Sequence, residues 1–242
     1  MASALDKLEK LNTYADYLNG AKTIYDETKR LKLATKSNVK NPADLDKIIG
    51  LNRKTYEKLA KYFDRTAAAL KDTISGGYPP VKDYSRKTFK EVQDLKKKGA
   101  DQKVIDKKFN TYFNLLEDYH TALRERISYM DFVSDKCDLN AANFKKMNDL
   151  IAKTDAALTT MMKTFPEQVG NAAALKKLEI HTGRILNRGG VIAKDYLKLK
   201  SMSQRHKAEV TKIFKEVDKE YKKASATKIK GVLEDVAGLF GF

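Results

Sequence analysis

Apolar residues recur every three or four positions along most of this chain, a spacing that builds helices with one buried face and leaves little room for sheet. Leu5, Leu8, Leu11, Tyr14, Leu18, Ala21, Tyr25 and Leu31 predict a first helix over about Ser3 to Lys36. Asn41-Pro42 supplies a cap and a first-turn proline for a second helix. That helix carries Leu45, Ile48, Ile49, Tyr56, Leu59, Phe63, Ala67 and Leu70, and it stops at Ser75-Gly76-Gly77-Tyr78-Pro79-Pro80. A third, from about Lys82 to Lys98, turns Phe89, Val92 and Leu95 inward, with Gly99 as its stop and Asp101 as the next cap.

A fourth helix, from about Gln102 to Ser134, is rich in aromatic residues: Phe109, Tyr112, Phe113, Tyr119, Tyr129 and Phe132. A fifth, from about Asn140 to Phe165, presents Phe144, Met147, Ile151, Leu158 and Met161. The last starts near Asn171. Gly189-Gly190 reads as a hinge within it, since paired glycines are a common place for a kink. Ile192, Tyr196, Leu199, Met202, His206, Val210, Phe214, Val217 and Tyr221 continue its stripe, and Thr227 to Phe242 either prolongs the helix or folds back.

With only 12 Gly and 4 Pro there is little material for the turns of a sheet. The fold predicted is all-α: an elongated antiparallel helical bundle or coiled-coil-like rod of five to six helices, the last long and basic. The chain is read as a single domain, 1–242, with the hinge at 189–190 and an apolar tail over 231–242.

Chemistry is sparse. Cys137 stands alone between Asp135 and Asp138, which rules out an internal disulfide and disfavours a reactive thiolate. His120, His181 and His206 lie far apart with no metal-ligand spacing around them, and His206 falls on the apolar stripe as a partly buried position. The pairs Asp26-Glu27, Glu117-Asp118 and Glu234-Asp235 are adjacent on helices and cannot face each other across a cleft. Neither Gly76-Gly77 nor Gly189-Gly190 has the spacing of a phosphate loop. The expectation is a non-enzymatic protein with no metal and no cofactor.

Charge carries the remaining information. The net charge is +16, and Lys176 to Lys230 holds 16 Lys or Arg against 6 Asp or Glu. Lys96, Lys97, Lys98, Lys215, Lys219, Lys222, Lys223, Lys228 and Lys230 are the candidate contacts to an anionic surface. Val232, Leu233, Val236, Leu239, Phe240 and Phe242 are the candidate apolar contacts to a membrane or a partner. An anionic membrane explains both features, because basic helices are drawn to its surface and apolar residues insert at its interface. Nucleic acid would use the same charges and leave the tail unexplained. An acidic protein surface, a homo-oligomer or a secreted effector assembly are the other partners considered, with the tail as docking peptide. The tail could also fold onto its own bundle as a plain C-terminal cap of the core. In outline the architecture resembles long-helix membrane-sculpting modules and helical pore-forming toxins, without shared motifs. No apolar leader opens the sequence, so the expected location is cytoplasmic, peripheral to a membrane, or exported without a cleaved signal.

Overall fold

The computed structural model describes the backbone of residues 24–164 and 172–240, and the side chains of residues 24–164 and 176–230. Residues 24–28 are helical, and among the described residues four helices follow them: α1 (Pro42–Gly76), α2 (Ser85–Lys97), α3 (Gln102–Thr164) and α4 (Ala172–Phe240). No strand occurs among the described residues, and the fold is an all-α helical bundle as the spacing predicts.

Local chemistry sets the helix ends. The Asn41 side chain accepts from the Asp44 amide, with Pro42 in the first turn of α1, and Gly77 closes that helix at φ 61°. Gly99, at φ 66°, ends α2 with the Ala100 amide reaching back to the Leu95 carbonyl, the arrangement of a left-handed helix stop. Asp101 then caps α3 by accepting from the Lys103 amide.

Two expectations are corrected. The helix predicted to Lys36 ends by residue 28, because side chains capture the backbone beyond it. Asn52 of α1 both accepts from the Lys32 amide and donates to the Lys32 carbonyl, while Asn38 donates to Leu33 and accepts from Thr35. The predicted fourth and fifth helices are one, α3. The 3–4 rhythm of Met130, Val133, Cys137, Asn140, Phe144, Met147 and Ile151 runs through the supposed break, and Asn140 takes a buried position in it. The backbone of α4 is helical through Gly189-Gly190. A Cβ on Gly189 would meet the Asn148 side chain of α3 at 2.1 Å, so the missing side chain is used for close approach of two helices.

The chain divides into two units. One comprises Met1–Gly77 and Val133–Met202, the other Tyr78–Phe132 and Ser203–Phe242. In the first, α1 packs against α3 with Phe63 edge-on to Phe144, and Phe144 in turn meets Tyr196 of α4. Arg184 and Arg188 of α4 reach Asp64 of α1. Fully burying each of these rings contributes on the order of 2–3 kcal/mol. In the second, Val92 of α2, Tyr112, Phe113, Leu116, Tyr119 and Leu123 of α3, and Val210, Val217 and Ala224 of α4 form the core. Numbers rise along α3 as they fall along α4. Tyr112 bonds Glu220, His120 bonds Asp218 and Lys207 pairs with Asp131, so the two helices run antiparallel.

Candidate acidic-surface interface

The lysines nominated from the sequence take different environments in the second unit. Lys215, Lys219, Lys222 and Lys223 are exposed on α4. Lys212, absent from the sequence-based set, is exposed on the same side. At 100° per residue Lys212, Lys215, Lys219 and Lys223 fall within roughly 80° of arc, a narrow ridge opposite the seam of Val210, Val217 and Ala224. None of these four makes an ion pair among the described residues. Lys222 differs: it donates to Asp218, whose carboxyl it holds below the ordinary range together with His120.

Lys228 also stands apart. Its ammonium lies over the Phe113 ring, 4.2 Å from the centroid, a cation–π contact within the protein. Lys230 is exposed. Lys96 and Lys97 fill the last turn of α2 and Lys98 caps it, all three exposed, where cations complement the negative end of the helix dipole.

Beneath the ridge the helix is pinned by aromatic rings. Phe113, Tyr221, His120 and Phe214 form a continuous stack, with centroids 5.6, 4.6 and 4.9 Å apart in that order. His120 Nε2 donates to the Asp218 carboxylate over 3.1 Å, and the Tyr221 hydroxyl donates to Glu117. The sequence shows no metal-ligand spacing around His120. Its partner stands 98 positions away, and nothing local to His120 signals it.

The backbone of α4 continues to Phe240, so the tail prolongs the helix and does not fold back within that range. The side chains of Val232, Leu233, Val236, Leu239 and Phe240, and Phe242 entirely, lie outside the described residues. On a continuous helix, positions 232, 233, 236, 239 and 240 share one side within roughly 120° of arc.

Among the described residues no helix is long and apolar enough to cross a membrane, and no group of His, Cys, Asp and Glu is arranged to hold a metal ion. Burial pushes the Cys137 thiol up to about 12, with Asp138 adding to the shift, which keeps it protonated at neutral pH. No family model matches this chain, and no curated protein or solved structure matches it.

Proposed function

We propose that this chain is a non-enzymatic helical protein that binds an anionic membrane surface, with the outer ridge of α4 as the electrostatic contact and the apolar end of the same helix as the inserting element. The observation that supports the reading is the ridge. Lys212, Lys215, Lys219 and Lys223 are exposed, aligned and unpaired among the described residues, on a helix fixed from beneath by the aromatic stack. Each such residue near an anionic bilayer contributes about 1 kcal/mol, so four give about 4 kcal/mol at low salt. That attraction is screened over a Debye length of about 8–10 Å at physiological ionic strength. An apolar helix end adds depth that salt does not screen.

Cosedimentation with vesicles tests this. Full-length protein is expected to pellet with phosphatidylserine-containing vesicles at low salt, to release as salt rises, and to ignore pure phosphatidylcholine. Replacing the four ridge lysines by Gln weakens binding by two to three orders of magnitude, in line with about 4 kcal/mol. Deleting Gly231 to Phe242 leaves weaker binding that is more sensitive to salt. The reading is wrong if the intact chain fails to pellet with anionic vesicles at low salt. Binding of duplex DNA that survives the tail deletion, in a protein that ignores vesicles, would favour a nucleic-acid partner.

A further inference from the structure

Two apolar faces follow one another along the end of α4, and the first alone belongs to the core. Up to Ala224 the helix packs through two seven-residue rows, Val210, Val217 and Ala224 in one and Phe214 and Tyr221 in the other. Continued along the helix, the first row reaches Gly231 and Gly238, and the second reaches Lys228 and Asp235. Lys228 closes the seam. Its ammonium over the Phe113 ring, 4.2 Å from the centroid, stands where the row would otherwise place an apolar side chain.

The second face begins at Ile229, which is 60% exposed and lies outside both rows. At 100° per residue, positions 229, 233, 236 and 240 fall within roughly 60° of arc, centred roughly 130° from the row of Val210, Val217 and Ala224. The same centre is roughly 70° from the midline of the lysine ridge. Lys215 and Lys222, both exposed, fall in this arc further up the helix. Glu234 and Asp235 occupy positions roughly 130° away on either side. Asp218 stands at the edge of the arc, and its carboxylate is already met by Lys222 and His120.

We infer that α4 lies along an anionic bilayer with this second face down: Ile229 and positions 233, 236 and 240 enter the apolar boundary, while Lys215, Lys219 and Lys222 reach the headgroups beside them. This rests on the reading of α4 as an anionic-membrane contact and adds which side of the helix meets the lipid. Charge selects the occupant. An apolar face bordered by lysines and turned away from the carboxylates matches a bilayer interface, where such a helix sits roughly 5–10 Å into the boundary between headgroups and acyl chains. A second copy of the chain would set one lysine border against the other. The face also spans residues 229–240, under two heptads, short of the roughly three to four that a coiled coil sustains.

Single tryptophans placed in the full chain test the orientation. The protein has no Trp of its own, so each introduced indole reports one position. The probe is a vesicle of phosphatidylserine and phosphatidylcholine, the latter brominated along its acyl chains. On binding, Ile229→Trp and Val236→Trp are expected to shift to the blue and be quenched. Thr227 is exposed, roughly 160° around the helix from Ile229, and Thr227→Trp is expected to keep its aqueous emission. Ile229→Asp should weaken vesicle binding about tenfold, the effect of one aliphatic side chain kept out of an apolar phase, with unchanged circular dichroism in solution. Ile229→Leu should bind as the parent does. In a protein that pellets with these vesicles, equal quenching at 227 and 229, or none at 229, overturns the orientation and leaves the anionic-membrane reading standing. A chain that does not pellet overturns both. A dimer in the absence of vesicles, dispersed by Ile229→Asp, assigns the face to a second copy and overturns the inference equally.

Discussion

Alanine at Gly189 and at Gly190 should move stability in opposite directions, although the two glycines are neighbours on one unbroken helix. Glycine in a helix interior costs about 1 kcal/mol relative to alanine. Nothing stands within 4 Å of a Cβ built on Gly190, so Gly190→Ala should gain close to that full amount. A Cβ on Gly189 would stand 2.1 Å from Oδ1 of Asn148 and 2.8 Å from its Cγ and Nδ2. The amide of Asn148, which donates to the Leu186 carbonyl at 3.4 Å, must then swing away or push the helices apart. Overpacking of this kind costs about 1–3 kcal/mol. Set against the helical gain, Gly189→Ala should be destabilised by about 1 kcal/mol, leaving a gap of about 2 kcal/mol between the variants. In Asn148→Ala the opposing atoms are gone, and adding Gly189→Ala there should be neutral or stabilising. Urea denaturation followed by far-ultraviolet circular dichroism measures all four proteins and closes the double-mutant cycle. Equal stability of the two single glycine variants, or a Gly189→Ala penalty that persists without Asn148, would refute the close-approach argument.

Three further outcomes are expected. Cys137 is fully buried with its thiol pushed up to about 12, so a thiol reagent at mildly alkaline pH should label it only as fast as the first unit opens; immediate labelling of the native protein would contradict this. Asp155 is held above the ordinary carboxylate range by burial and then by Glu179. Between the ordinary and the raised value its folded form keeps a proton that the unfolded chain has released, so stability present at low pH is lost as pH rises through the raised value. Asp155→Asn should therefore raise the urea midpoint at neutral pH and leave it unchanged near pH ~3, below both values; an unchanged midpoint at neutral pH would count against the assignment. Phe144→Ala removes a ring packed against both Phe63 and Tyr196 and should cost about 3–5 kcal/mol in the same assay. A loss below about 1.5 kcal/mol would mean that the site collapses around the gap.

Signals carried by a few adjacent residues were legible in the sequence. Asn41-Pro42, the Gly76 to Pro80 loop, Gly99 and the Asp101 cap all act where they stand in the chain, through dihedral preferences and short hydrogen bonds. The spacing of apolar residues likewise located the buried faces of α1 and α4. The misreadings share one cause: a residue type that is locally ambiguous was settled by a distant partner. Asn140 looks like a helix boundary in isolation. Asn140 sits at a seam position of an otherwise apolar stripe, and Gly189 answers to Asn148 on another helix. The ridge was found in part for the same reason. Lys215 and Lys219 were visible as charges, and Lys222 meets Asp218 one turn away on the same helix, while the seat of Lys228 over Phe113 depends on the packed helix pair.

Two ion pairs described along α3 and α4 bear on how the chain finds its alignment. Seams with a seven-residue rhythm can slide by one repeat and still set apolar rows against apolar rows, so hydrophobic burial alone leaves the register open. Lys200 meets Asp138 and Lys207 meets Asp131, one repeat apart on both helices. A slide of seven residues in one direction keeps Lys200 opposite Asp131 and brings Lys207 against Arg124. In the other direction Lys207 meets Asp138, while Lys200 is set against Lys145. Either displaced register exchanges an attraction for a repulsion. These exposed pairs add little to the depth of the native state. Their consequence is discrimination among alignments that the oily rows treat as equal.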